Sequence, residues 1–127
     1  MYANASALTV VGHLGIAFLF LFRGLTSFSS WDRHVQTIAS HHVPMPQIVL
    51  GLGLFTMLAG GLLVAIDWHA ADGACALVIF TALANLWYHD FWRMEDGPAR
   101  TQHLYIFCNN IGVIGGLALV MASGQLS

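Results

Sequence analysis

The chain has 127 residues, of which 57% are hydrophobic and only 8% are charged, and its mean hydropathy is +0.72. Soluble domains usually carry about 25% charged residues, so this composition predicts an integral membrane protein and excludes an ordinary soluble domain. The net charge of −2 and the absence of lysine leave no basic surface of the kind that binds nucleic acid.

Four apolar segments predict four membrane-spanning helices, because each is close to the ~20 residues that cross a bilayer as a helix. The predicted spans are 5–25, 46–66, 73–92 and 103–122. None of these segments alternates with a period of two, which argues against strands. The second and third connections are short, so sequential helices are expected to pack as antiparallel neighbours. The sequence therefore predicts an all-α fold, with residues 1–127 forming one up-down four-helix bundle.

The connection between the first two spans carries a helical pattern of its own. Four apolar residues spaced three, four and three apart would form one face of a helix: Phe28, Trp31, Val35 and Ile38. Ser29 precedes Asp32 by three residues, which is the spacing of a capping box, and Pro44 and Pro46 would end the helix. We expect a short helix at the membrane surface or on the mouth of the bundle. An irregular loop is the alternative.

The arginines predict an orientation. All four lie in or beside the first and third connections, at Arg23, Arg33, Arg93 and Arg100. The second connection carries only the acids Asp67 and Asp72, and the two tails carry no charged side chain. Because arginine-rich connections face the cytoplasm, we expect the first and third connections to lie inside and both termini to lie outside.

Small side chains predict where spans do and do not meet. Cys75 and Cys108 lie near the starts of the third and fourth spans, so alternating helices place them near opposite membrane faces. A disulfide requires Cα atoms within roughly 7 Å, and we therefore expect two free thiols. Gly112 and Gly116 form a small-xxx-small pair, which predicts a close helix–helix contact of the last span, inside the bundle or against a partner.

The third span ends in a polar and aromatic stretch, Asn85-Leu86-Trp87-Tyr88-His89-Asp90-Phe91-Trp92. Polar groups at membrane depth are costly unless they face protein or water, whereas Trp and Tyr concentrate at the membrane boundary. This stretch therefore predicts a helix end at an interface. At least one of His89 and Asp90 should hydrogen-bond the fourth span or the first connection, because an unpaired buried polar group is destabilising.

Residues from three spans are expected to converge on one pocket at this end of the bundle, which we call its mouth. Arg23 ends the first span and Trp92 the third, so an up-down bundle places both at one level, with Arg23 beside the Asp90 carboxylate. Asn110 is about 10 Å deep in the fourth span at 1.5 Å per residue, and Asn85 lies at a matching depth. The predicted ligand-binding residues are Arg23, Asn85, His89, Asp90, Trp92, Asn109 and Asn110.

Three classes of ligand use such a mouth, and these residues favour quinone. A quinone headgroup is held near an interface by hydrogen bonds from His, Asp, Asn or Arg side chains. A b-type haem needs two facing imidazoles, and His89 and His103 lie too near the helix ends to favour it. A transition metal takes His with a carboxylate. The adjacent His89 and Asp90 would point about 100° apart on a helix, and the adjacent His41 and His42 are an equally weak pair.

A purely structural role is the alternative for each of these side chains. Membrane-edge histidines often bond only carbonyl groups, and His89 with Asp90 could simply lock the third span onto the fourth. Asn109 and Asn110 could join helices through bonds that contribute roughly 0.6–2 kcal/mol. The sequence carries no nucleophile–base set, phosphate loop or paired catalytic carboxylates, so we assign no catalytic residue and no metal ligand.

Several short motifs resemble the DoxX family of small four-helix bacterial membrane proteins. The resemblance covers nearly the whole chain. Its most specific part is the run His89-Asp90-Phe91-Trp92 with a downstream asparagine and glycine pair, and the other markers are Phe20 to Leu25, Ala59 to Leu63 and Asn110 to Leu117. The family takes its name from a subunit of a thiosulfate:quinone oxidoreductase, so the resemblance implies a quinone-associated component of a bacterial inner membrane.

This chain departs from the DoxX pattern at positions where family members often carry charge, since it has His13, Ser27, Met57 and Asn109 there. We therefore expect an accessory or anchoring subunit of a respiratory or redox complex rather than a catalytic one. Its partners would be membrane lipid and either other subunits or further copies of the chain. The alternatives are a quinone-linked oxidoreductase subunit for a small sulfur substrate, using His89, Asp90 and Arg23, and an oligomeric small-molecule transporter or channel.

Overall fold

The computed structural model describes residues 2 and 5–125, and all of the regular structure in this part of the chain is helical. Four helices are long and apolar enough to cross a membrane: α1 (Ala7–Ser27), α3 (Pro46–Ala65), α4 (Ala70–Tyr88) and α5 (Pro98–Gln125). The short α2 (Trp31–Ser40) lies between the first two of them. The predicted all-α fold with four spanning helices is confirmed.

The first connection is helical, as the apolar spacing predicted, but it begins differently. A 3₁₀ turn at Phe28–Ser30 follows α1 directly and leads into α2. The capping-box prediction is wrong, because the Ser29 hydroxyl donates to the carbonyl of Thr26 at 2.7 Å. Ser29 already lies in helical backbone, so its hydroxyl bonds to the preceding turn. It therefore does not form a capping box with Asp32. Ile38 is buried, and α2 packs on α3.

Sequential spans pack as neighbours, with α1 on α3, α3 on α4 and α4 on α5. The core of the bundle includes Val64, Leu77 and Leu117, which are fully buried. By contrast, α1 and α5 meet through few residues. A cleft of about 280 Å³ separates parts of these two helices, and Ile16 and Gly116 are among the residues that line it.

The helices α3 and α4 approach each other closely at Gly60 and Gly73. A Cβ atom on Gly60 would lie 3.1 Å from the carbonyl oxygen of Gly73, and one on Gly73 would lie 3.0 Å from that of Gly60. Each glycine therefore accommodates the backbone of the other helix, which is the use of small residues that membrane helices favour.

The predicted glycine contact in α5 is confirmed at one of its two glycines. A Cβ atom on Gly116 would lie 2.7 Å from Cδ1 of Ile16 in α1, so Gly116 does lie at a helix contact. Gly112 is exposed with nothing within 4 Å of an added Cβ atom, so it makes no contact inside the bundle, and a contact with a partner stays a prediction. Cys75 and Cys108 are both free, as expected.

Candidate functional site at the arginine-side mouth

The site is built around the end of α4 and the turn that follows it. His89 leaves helical geometry with φ −122° and ψ 43°, and a 3₁₀ turn at Phe91–Arg93 follows. The rings of Phe91 and Trp92 pack edge-on against Phe107 of α5, with centroids 5.4 and 5.8 Å away. Arg100 Nε donates to the carbonyl of Phe91 at 3.2 Å. These contacts hold the turn against α5.

Two asparagines form the deepest polar layer. Asn85 is 4% exposed, and its side-chain nitrogen donates to the carbonyl of Phe107 at 3.2 Å. Asn110 donates to the side-chain oxygen of Asn85 at 2.9 Å. Both bonds join α4 to α5, and together they satisfy a buried amide that would otherwise be destabilising.

Two histidines form the next layer outward. His89 Nδ1 lies 3.0 Å from His103 Nδ1, so one ring donates and the other accepts through a lone pair. The bond again joins the end of α4 to α5. The prediction that His89 bonds the fourth span is confirmed.

Asp90 is held by a histidine from the first connection. His41 Nδ1 lies 2.8 Å from the carbonyl oxygen of Thr37, and because a carbonyl only accepts, Nδ1 donates. His41 Nε2 lies 3.4 Å from Oδ2 of Asp90. This contact is within ion-pair range, although it is longer than the roughly 2.7–3.2 Å that is usual for an N–H···O hydrogen bond. It also confirms the predicted contact between the His89–Asp90 pair and the first connection.

A cavity of about 300 Å³ opens beside Asp90, and we name it the mouth pocket. Its lining residues are His41, Leu86, Trp87, Asp90, Trp92 and Arg93. The Asp90 side chain is 18% exposed, whereas Arg93 and both tryptophans are exposed. The pocket thus combines one carboxylate, one guanidinium, one imidazole and two indole rings.

The structure distributes the predicted site residues over separate layers rather than one pocket. Asn85 and Asn110 meet in the inner layer, His89 lies in the histidine layer, and Asp90 and Trp92 line the mouth pocket. A ligand role for these residues stays a prediction.

Arg23 and Asn109 do not join them. Arg23 is exposed on α1, which packs on α3 rather than α4, and Asp90 pairs with His41 instead. Asn109 is exposed because it precedes Asn110 by one residue and so points about 100° away around the helix.

Sequence reasoning missed three members of the mouth pocket, namely His41, Trp87 and Arg93. The sequence presents His41 as half of a weak metal-ligand pair with His42 or as a membrane-edge histidine with a structural role. The His41 ring is fixed by the backbone carbonyl of Thr37, which any residue at that position would supply, so the sequence carries no signal for this contact. Trp87 belonged to the aromatic stretch of α4 but was not chosen as a site residue.

A second histidine–carboxylate contact occurs at the opposite end of the bundle. His13 Nδ1 lies 2.9 Å from the carbonyl of Thr9, and its Nε2 lies 3.4 Å from Oδ1 of Asp67. The spacing from threonine to histidine equals that of Thr37 and His41. Tyr2 lies against the His13 ring and donates to the carbonyl of Ala65 at 2.8 Å. Burial, and then the charge of Asp67, raise the pKa of the Tyr2 phenol above its ordinary value.

A family model described as the SURF4 family matches residues 3–127. The chain belongs to the SURF4 family. Comparison with curated proteins and with solved structures gives no significant match.

Membership of the SURF4 family corrects the DoxX resemblance, which is wrong. The DoxX markers were short and mostly apolar, and glycine-rich apolar motifs recur in membrane helices of unrelated families. The expected function as a DoxX-like respiratory or redox subunit is therefore wrong as well, and its two alternatives are not carried further. Quinone binding stays a prediction without family support. The bacterial inner-membrane location loses its basis, whereas a multi-pass membrane protein is what the spanning helices show.

Proposed function

We propose that this SURF4-family protein binds a lipid of its own membrane and holds the lipid headgroup in the mouth pocket. The observation that carries the proposal is the position of the pocket. Its residues Leu86 and Trp87 belong to the last turn of a spanning helix, and Asp90, Trp92 and Arg93 belong to the turn that follows. A cavity at the end of a span adjoins the layer that lipid headgroups occupy.

The size and lining of the pocket suit a headgroup. About 300 Å³ is the lower end of the range for small-molecule pockets, roughly 300–1,000 Å³. Charged groups and indole rings line it, and Leu86 is exposed at its border, where the first atoms of an acyl chain would pass. A headgroup would place its charges on the pocket and leave its chains among the neighbouring apolar side chains.

The pocket is supported by contacts that fix its walls before a ligand binds. Trp92 packs on Phe107, Asp90 is held by His41, and the turn between them is tied to α5 by Arg100. Binding to a pocket that is already ordered avoids part of the entropy lost on association. This support favours a binding role for residues that would otherwise lie in a loose connection.

The test is lipid retention by the full chain purified in a mild detergent. We expect the parent to retain about one tightly bound lipid per chain, measured by native mass spectrometry, and Trp92→Ala to lose it. Trp68→Ala is the matched control, because Trp68 is 53% exposed and Trp92 is 49% exposed but the two lie at opposite ends of the bundle.

Trp87→Ala is a second variant, which keeps the packing of Trp92 on Phe107 intact and should also lose the lipid. Equal lipid content in the parent, the Trp92 variant and the Trp87 variant would overturn the proposal. Loss of lipid in all variants, including the Trp68 control, would overturn it too, because lipid retention would then not depend specifically on the pocket.

The proposed orientation places the mouth pocket on the cytoplasmic side of the membrane. The basis is the concentration of arginine in the first and third connections, with only Asp67 and Asp72 in the second. In a chain with four spans both termini then lie on the opposite side.

A further inference from the structure

We infer that the mouth pocket is selective for a zwitterionic headgroup of the phosphocholine type, with a quaternary ammonium group and a phosphate. The inference rests on the proposed function and names the lipid that the pocket takes. It follows from three features: an acid flanked by indole rings, the existing partner of that acid, and an arginine in the same cavity.

The first feature is a site for a large cation. The Asp90 carboxylate lines the pocket together with Trp87 and Trp92. Indole rings attract cations through their negative faces, and proteins use this attraction to recognise quaternary ammonium groups. A carboxylate beside two indoles therefore offers charge and polarisable surface to a cation that has no hydrogen-bond donor of its own.

The second feature is the hydrogen bonding of Asp90. His41 already places Nε2 at 3.4 Å from Oδ2, and its ring is fixed by the Thr37 carbonyl at the other nitrogen. The carboxylate is therefore not dependent on a donor from the ligand. A primary ammonium has three donors to satisfy, and Asp90 is the only carboxylate among the residues that line the pocket, whereas a quaternary ammonium has no donor to satisfy. This difference favours choline over ethanolamine.

The third feature is a site for the phosphate. Arg93 lines the same pocket, and within residues 5–125 it makes no ion pair, whereas Arg100 pairs with Asp96 at 3.4 Å. A guanidinium binds phosphate through two parallel hydrogen bonds. One acid and one arginine in one cavity match the two charges of a zwitterion. A purely anionic headgroup could pair with Arg93 but would bring no cation to Asp90, whereas a phosphocholine headgroup satisfies both charges.

The experiment is a competition among lipids with identical acyl chains. The full chain in mild detergent is titrated with equimolar phosphatidylcholine, phosphatidylethanolamine and phosphatidylglycerol, and bound species are counted by native mass spectrometry. We expect phosphatidylcholine to bind about tenfold more tightly than phosphatidylglycerol, a difference of about 1.4 kcal/mol. Asp90→Asn, which keeps the side-chain shape, should remove most of this preference. Arg93→Gln should weaken the binding of both lipids.

A conservative pair of variants separates ring chemistry from packing. Trp92→Phe retains an aromatic face and should keep the preference for phosphatidylcholine, whereas Trp92→Leu keeps an apolar side chain against Phe107 and should lose it. If the parent binds all three lipids equally but Trp92→Ala abolishes binding, the proposed function stands and this inference fails. If no lipid binds the parent, both fail. An unchanged preference in Asp90→Asn would also overturn the inference.

Discussion

Asn110 donates a hydrogen bond of 2.9 Å to the side-chain oxygen of Asn85, and this contact joins α5 to α4 below the mouth pocket. Asn85 also donates to the carbonyl of Phe107, so one buried side chain makes two bonds between helices. The layer keeps α4 and α5 in register, and the histidine layer and the pocket are built on that register.

Asn85→Ala should lower the free energy of unfolding, since each lost bond between membrane helices contributes about 0.6–2 kcal/mol and the Asn110 amide loses its partner. Reversible unfolding in mixed detergent measures the change. Asn109→Ala is the control, because Asn109 is adjacent in sequence but exposed. Equal stability of the two variants would show that the asparagine layer does not hold the helices.

Gly60→Ala should destabilise the bundle by about 1–3 kcal/mol, because the added methyl group would overpack the contact with α4. Its Cβ atom would lie 3.1 Å from the backbone oxygen of Gly73, and backbone yields less readily than a side-chain tip. Gly115→Ala is the control, since nothing lies within 4 Å of an added Cβ atom there. That variant should be neutral or slightly more stable, because alanine is the better helix former. Similar melting of both variants would contradict the close α3–α4 approach.

Asp67→Asn should lower the pKa of Tyr2 towards its ordinary value of 10.0, because the charge of Asp67 is one of the two causes that raise it. In the parent the raised pKa means that the folded state holds the phenolic proton more tightly. Its contribution to stability is therefore present below the ordinary pKa and is lost as the pH rises through the folded-state pKa. Tyrosinate absorbance, taken as the difference between parent and Tyr2→Phe, follows the titration.

Asp72→Asn is the matched control for that titration, because the Asp72 side chain is 82% exposed and does not act on Tyr2. It should leave the pKa of Tyr2 unchanged. If Asp67→Asn also leaves it unchanged, Asp67 does not lie close to Tyr2 in the folded protein.

The orientation can be tested with two exposed acids in different connections. In a background of Cys75→Ala and Cys108→Ala, Asp96→Cys and Asp72→Cys place single thiols at side chains that are 99% and 82% exposed. In sealed membrane vesicles with the non-cytoplasmic face outward, a thiol reagent that does not cross membranes should label only Asp72→Cys. Labelling of Asp96→Cys instead would reverse the orientation, and labelling of both would contradict the spanning topology.

Much of the fold could be predicted because the lengths of the apolar segments and the residues that favour helix ends can be read directly from the sequence. The second span was predicted to begin at residue 46, and α3 begins at Pro46, since proline is favoured in the first helical turn. The fourth span was predicted to begin at residue 103, whereas α5 begins at Pro98. Its first residues are polar, so a prediction from apolar length alone places the start too late.

The site was less predictable because sequence fixes the level of a residue better than the direction in which it points. Helix rise placed Asn85 and Asn110 at matching depth, and they meet. The same arithmetic placed Arg23 level with Asp90, but α1 packs on α3, so the arginine does not reach it. His41 reaches Asp90 because α2 packs on α3, and no pattern in the first connection specifies that contact.

The most direct measurement of the central claim is cross-linking of a lipid headgroup to the protein in its membrane. A phosphatidylcholine with a photoactivatable group in the headgroup is incorporated, activated and mapped by peptide mass spectrometry, with a lipid labelled at the end of its acyl chain as the control. The account predicts headgroup adducts concentrated on residues 86–93 and on His41, the lining of the mouth pocket. Headgroup adducts that are equally frequent at residues 66–72, at the other end of the bundle, would contradict it.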